Sequence, residues 1–454
     1  MELLSETRVK LNETFIPMLH DLQADILEHH GREFAFHLYL KIKDPDAAKK
    51  WISHFAATKV TSAFAQLKAI EKRKEHKNFD GGTVFTLSLS THAYKKLNVP
   101  IEKVPDDEAF REGMKNRSNK LRDDITKFED GWKSDGDIFI IVADSVEQKA
   151  LEGADHVIHE VRKWADVLVK QRGKVLRNEH RIGIEHFGYA DGISQPLFTE
   201  KEINRQGPGA EWDDTSDLSI LLLPDPAGAQ PVSFGSYLVF RKLEQNVRGF
   251  KEAEEELIHV KNENGIDDDE LGGAMIVGRF ESGAEVIHSS LDRPIQLPTE
   301  LNNDFDYRTD SAGTKCPYHA HIRIVNPRRD VDEFRTHRIA RRGIPFNDIG
   351  RNEDDLENDQ PENGVGLLFM CYQRHIPNQF EFIQHFWANN GQVGNKIVGQ
   401  DGIIGQGPNN TNRFLPIQWG QEAKQPDPLT FKDFVTMRGG EYFFTPSISG
   451  LKNL

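Results

Sequence analysis

Cysteine is nearly missing from this chain. Cys316 and Cys371 are the only two among 454 residues, which excludes a disulfide framework and any four-cysteine zinc or iron–sulfur centre built by one chain. Two buried thiols acting as small apolar side chains are expected instead. Long hydrophobic runs are missing too: no stretch approaches the roughly 20 apolar residues that cross a bilayer. The opening Met1-Glu2-Leu3-Leu4-Ser5-Glu6 has neither the basic region nor the apolar core of a secretory signal, so a soluble, cytoplasmic protein is expected. Basic residues are outnumbered, 57 Lys and Arg against 72 Asp and Glu, for a net charge of -15. Nucleic acid and anionic membranes repel that balance at long range, so neither is an expected partner; Arg335 to Arg342 is a local exception.

What is present is a globular composition, 37% hydrophobic and 28% charged, long enough for two cores with a pocket between them. Phe34, Phe36, Leu38, Leu40 and Ile42 alternate with less apolar neighbours, the period of a half-buried strand. Asp44-Pro45 caps and starts a helix through Trp51 and Phe55. Val84 to Leu89 and Ile138 to Ala143 read as strands, Ser145 to Lys170 as a long helix, and Val175 to His180 as the next strand. That order is β-α-β, β-α-β, the split arrangement of a ferredoxin-like domain.

A loop rich in Gly, Pro and Asp runs from about Gly207 to Ser233. Beyond it come strands at Tyr237 to Leu243, Arg338 to Phe346, Leu367 to Tyr372 and Glu441 to Thr445, with helices at Val247 to Val260 and Gln379 to Trp387. The second half thus repeats the first half's topology, without a repeat in sequence. An α+β protein of two ferredoxin-like domains is expected, with antiparallel sheets and peripheral helices: residues 1–205, a linker over 206–229, and residues 230–454. Asn347 to Asn363 and Asn389 to Asn412 read as long surface loops.

Three segments carry residues suited to chemistry. His186-Phe187-Gly188-Tyr189-Ala190-Asp191-Gly192-Ile193-Ser194-Gln195-Pro196 sets one carboxylate among aromatic, small and amide residues at the domain junction, although Asp191-Gly192 taken alone is more often a turn than a catalytic site. Cys316-Pro317-Tyr318-His319-Ala320-His321-Ile322-Arg323 places two imidazoles ahead of a guanidinium. These suit a structural histidine, half of a zinc site lacking a third ligand, or a haem ligand with a propionate partner. In Arg338-Ile339-Ala340-Arg341-Arg342-Gly343 strand alternation sends Arg341 and Arg342 to opposite faces, so at most one points inward.

Taken in order, these segments resemble the dye-decolorizing peroxidase family. The resemblance runs nearly end to end: it includes Asp21-Leu22-Gln23-Ala24-Asp25-Ile26-Leu27, where a Gly commonly stands in place of Ala24. It also includes Gly366-Leu367-Leu368-Phe369, Phe380-Glu381-Phe382-Ile383-Gln384 and Gly439-Gly440-Glu441-Tyr442-Phe443-Phe444. The resemblance implies haem b in a pocket mainly of the C-terminal half, with His321 as axial iron ligand. It makes Asp191 the acid/base on the peroxide side, Arg341 its arginine, Leu367 and Phe369 the apolar cover, and Arg323 a propionate contact. It implies reduction of hydrogen peroxide through a ferryl and porphyrin-radical state and oxidation of dyes, phenols and other aromatic small molecules, by a monomer or homodimer. A carboxylate base favours acidic pH, because an ordinary Asp titrates near about 3.9. Glu381 is one candidate to hydrogen-bond the far nitrogen of His321, and Trp387 is either a relay to the surface or a core residue. Some members carry Tyr where this chain has Phe346, which removes one relay. A haem carrier or sensor, or a haem-modifying protein on the same scaffold, is the alternative; neither needs both Asp191 and Arg341.

Overall fold

In the computed structural model the described residues are 2–75, 80–205, 215–229, 231–257, 260–293, 303–408, 413–425 and 427–454. Parts of the expected linker (206–214) and of the helix at Val247 to Val260 (258–259) lie outside them, as do residues 409–412 of the second loop. The main strands are β1 (Phe34–Ile42), β2 (Val84–Leu89), β3 (Ile138–Asp144), β4 (Ala165–Lys174), β5 (Leu223–Pro224), β6 (Phe234–Gln245), β7 (Ala340–Arg341), β8 (Ile344–Asn347), β9 (Val365–Gln373) and β10 (Val435–Thr445). They form one antiparallel sheet in the order β8-β9-β6-β10-β2-β3-β1-β4, with β5 beside β6 and β7 beside β9.

Each half contributes four long-range neighbours in the same pattern, β4-β1-β3-β2 and β10-β6-β9-β8, so the repeated ferredoxin-like topology is present. The halves join where β2 meets β10, and the two ends of the sheet, β4 and β8, pack together. A Cβ on Gly173 of β4 would stand 2.7 Å from Ile344 of β8, so this close approach requires glycine. The sheet therefore curls back on itself, and β1 is buried on both faces rather than one.

Several boundaries differ from expectation for physical reasons. The helix after β3 spans Glu147–Val161 only. Beyond it Ala165, Val167 and Val169 enter β4, because β1 needs an antiparallel partner on its free edge and β-branched residues pack well there. Only Leu176–Arg177 remains of the strand expected at Val175 to His180. The strand expected over Arg338 to Phe346 is two short pieces flanking Gly343. The helix near Gln379 to Trp387 opens as one α-turn, Phe380–Phe382, and continues as a π-helix, Ile383–Asn389. Both cysteines are buried and free. Among the described residues no helix is long and apolar enough to cross a membrane.

The opening motif staples the two ends of the chain. Gln23 Nε2 donates to Leu87 O and Pro446 O, both at 2.8 Å, and Gln23 Oε1 accepts Leu87 N–H at 2.8 Å. Asp21 accepts from Ser449 N (2.7 Å) and from the Ser233 hydroxyl (2.5 Å). A Gln23→Ala protein should lose about 3 kcal/mol of stability, since three buried backbone groups lose their partner; chemical denaturation measures this, and an unchanged midpoint contradicts it.

Candidate active site

A cavity enclosing about 1930 Å³, counting its open mouth, lies beside the C-terminal half of the sheet. Asp191, Arg341, Leu367, Phe369, His321 and Trp387 all line it.

The Asp191 wall is built by its own turn. Glu185 is half-buried and accepts N–H groups from Phe187 (2.9 Å) and Tyr189 (3.0 Å), while Asp191 N–H donates to Gly183 O (3.0 Å). Burial pushes the Glu185 carboxyl up to about 7. Gly192, at φ +79°, turns the chain so that its own N–H returns to Asp191 Oδ1 at 2.6 Å. Arg341 Nη1 donates to the same oxygen at 2.7 Å, its Nη2 to Ser194 O at 3.1 Å, and its backbone N–H to Gln195 Oε1 at 3.0 Å. Both ligands of the carboxylate thus converge on Oδ1, and Oδ2 is left for the cavity.

Burial by itself would raise the Asp191 carboxyl. The charge and hydrogen bond of Arg341, the Gly192 N–H and the nearby His321 outweigh it, so Asp191 is held below the ordinary carboxylate range. Arg342 points the other way, as alternation requires: its Nε donates to Asp25 O (2.6 Å) and its Nη2 to Ile26 O (2.8 Å).

On another wall His321 opens the short helix His321–Val325. Its Nδ1–H donates to Asp401 Oδ2 at 2.8 Å, which leaves Nε2 as the ring nitrogen with a lone pair. Asp401 is fully buried, and its Oδ1 accepts N–H groups of Ile403 (2.7 Å) and Ile404 (3.1 Å). Burial pushes its carboxyl up, but His321 and these amides more than offset that and hold it low.

Three readings need correction. Glu381 does not reach His321: Arg117 holds it at 2.5 and 2.6 Å, with Lys120 at 2.9 Å and the Tyr442 hydroxyl at 3.1 Å. Arg323 does not line the cavity. Residues two apart on a helix face away from each other, and Arg323 is instead paired with Asp330 (2.7 Å) and Asp310 (2.9 Å) between the rings of Tyr307 and Tyr318. The run Asn389 to Asn412 is not all surface loop, because Gln400 and Asp401 are buried within it. Asp401 was the residue missed; a lone acid entering Gly402-Ile403-Ile404 was its only signal. His319 is buried, and burial lowers it to about 4, so it is a neutral core histidine. Trp387 is buried on the cavity wall, edge-on to His337 and Phe382, and Phe382 in turn meets the exposed Phe386.

An anchored imidazole, with a carboxylate and guanidinium on another wall of a mostly apolar cavity, fits a protein that holds haem and handles peroxide. Comparison with known proteins bears this out. Residues 21–176 match the family described as the DyP dimeric alpha+beta barrel domain, and residues 207–398 match the Dyp-type peroxidase C-terminal family. The multifunctional dye peroxidase DyP2 of an Amycolatopsis species is 38% identical, covering 96% of each chain. The dye-decolorizing peroxidase msp1 of Mycetinis scorodonius is 28% identical over 96% of this chain and 87% of its own length. The crystal structure of an Anabaena DyP-type peroxidase superposes with a TM-score of 0.89 at 36% identity, covering 97% of this chain and 95% of that one. The chain belongs to the dye-decolorizing peroxidase family, whose members are haem-dependent oxidoreductases.

Proposed function

We propose that this protein reduces hydrogen peroxide at haem b held by His321, with Asp191 moving the proton, and oxidises dyes, phenols and other aromatic molecules, best at acidic pH. The observation that carries this reading is the Asp191–Arg341 pair, which shares the cavity with an imidazole anchored by a buried carboxylate. Haem b, when bound, would supply the redox centre that takes the oxidising power of peroxide and passes it to the donors.

His321, through the free lone pair of Nε2, would hold the haem iron, and the lining guanidinium groups of Arg279, Arg328 and Arg338 would offer cations to the cofactor's carboxylates. Asp191 Oδ2 takes the proton from one peroxide oxygen and returns it to the other, so that water can leave. Arg341 keeps that carboxylate ionised and stabilises charge on the departing oxygen. Leu367 and Phe369 keep water from crowding the site.

The absorption spectrum before and after one equivalent of peroxide tests this reading. A Soret band that shifts, and returns when a phenol is added, is expected; an unmoved band overturns it.

Two graded effects follow. Because Asp191 is held below the ordinary range, it stays ionised into acid, and the peroxide rate falls only as pH drops through that lowered value. In Arg341→Leu the burial effect is no longer outweighed, so the acid limb of the pH–rate profile should move to higher pH; an unmoved limb contradicts the pairing. Asp401→Asn keeps a hydrogen-bond acceptor near His321 but removes its charge. Cofactor affinity or turnover should fall by about 10–100-fold, read by titrating the stripped protein with haem.

A further inference from the structure

We propose that His92, Asp135 and Glu441 form a binding site for a divalent transition-metal ion, with zinc the best match, separate from the haem cavity. One ligand atom from each side chain lies within 4.8 Å of the other two, and none of the three residues lines the haem cavity. Each comes from a different element: His92 from the short helix Thr91–Lys96, Asp135 from the loop before β3, and Glu441 from β10.

Glu441 carries the strongest sign. Its Oε1 is fully used, accepting N–H groups from Met114 (2.8 Å) and Tyr442 (2.9 Å). Its Oε2 is buried without any hydrogen-bond partner, in a side chain only 1% exposed. Such an atom normally costs stability unless something satisfies it. Gly113, at φ +81°, leaves room in front of the cluster; a Cβ there would stand 3.5 Å from Glu441 Oε1 and 3.9 Å from His92 Nε2. One imidazole and two carboxylates form a nitrogen–oxygen donor set that suits zinc and leaves a position for water.

Among the described residues the other such grouping, Asp25, His29 and His30, is a poorer ligand set. His29 Nδ1 accepts Gly31 N–H (2.9 Å) and His30 Nδ1 accepts Arg32 N–H (3.0 Å), so the ring protons sit on Nε2 and no lone pair is offered there. Among the described residues none donates such a bond to His92 Nε2, which faces Asp135 Oδ1 at 3.9 Å.

Lys115 is the competitor: its ammonium pairs with Asp135 and also reaches Lys133 O at 3.3 Å. A dication entering the site takes over Asp135, and Lys115 keeps the carbonyl. The site is therefore a choice between an internal ammonium and an external metal.

Zinc added to the haem-loaded protein, dialysed and counted separately from iron, tests the proposal. One zinc per chain is expected, together with a rise in melting temperature on zinc addition. His92→Ala and Glu441→Gln should each weaken binding by more than about tenfold, the scale on which even outer partners of a metal matter, and Lys115→Met should strengthen it. No retained zinc, zinc kept equally by His92→Ala, or unchanged affinity in Lys115→Met overturns the site. Should Glu441→Gln fail to fold, the other two variants decide.

Discussion

Asp191→Asn is expected to slow the reaction with hydrogen peroxide by about 10²–10⁴-fold, the usual worth of a positioned acid/base, while haem content and the resting Soret band stay as they are. The amide keeps an oxygen for Arg341 Nη1 and Gly192 N–H, the two bonds that fix the side chain. It replaces Oδ2 with a group that cannot accept a proton, so geometry is retained and only the proton transfer is lost. Rapid mixing with peroxide separates the first step from later electron donation; a rate constant equal to that of the parent protein removes Asp191 from the mechanism.

The second large effect is at His321. In His321→Ala the cofactor affinity should fall by more than the roughly 10–100-fold caused by losing an outer partner, and added imidazole should restore part of it. A variant that retains haem as tightly as the parent rules out His321 as the ligand.

Stability should change with a definite pH dependence. In the parent, Asp401 is held below its ordinary value, so its contribution is present above the unfolded carboxylate pKa and is lost as pH falls through the lower folded value. Without the imidazole, burial dominates and Asp401 is raised. The variant is then penalised most near neutral pH, and the gap in melting temperature from the parent should narrow toward acid.

The strands were the most legible part of the fold, because Phe34 to Ile42 alternates in sequence along its length and both it and Val84 to Leu89 are bounded by polar residues. Alternation put Arg341 and Arg342 on opposite faces, while the choice of Arg341 came from the resemblance of the whole motif. The end of the helix at Val161 was hidden, since the residues after it suit either element and only the open edge of β1 decides. Glu381 was plausible from its place in a family segment, but Arg117 and Lys120, more than 260 positions away, claim it. Asp401 lay beyond reach for the same reason: it meets His321 across 80 residues of chain, and no local pattern encodes that meeting.

The junction of β2 with β10 also bears on how the chain comes to be folded. Ser88 and Thr445 share a hydrogen bond across 357 positions, so this seam forms only after most of the chain is available. Contacts that distant are entropically slow to close. Until they do, β2 presents an unpaired edge of the kind on which other chains dock and aggregate. Refolding should therefore proceed through a half-assembled species whose yield depends on protein concentration, and cutting away the last strand should harm solubility well before it harms the core of the first half.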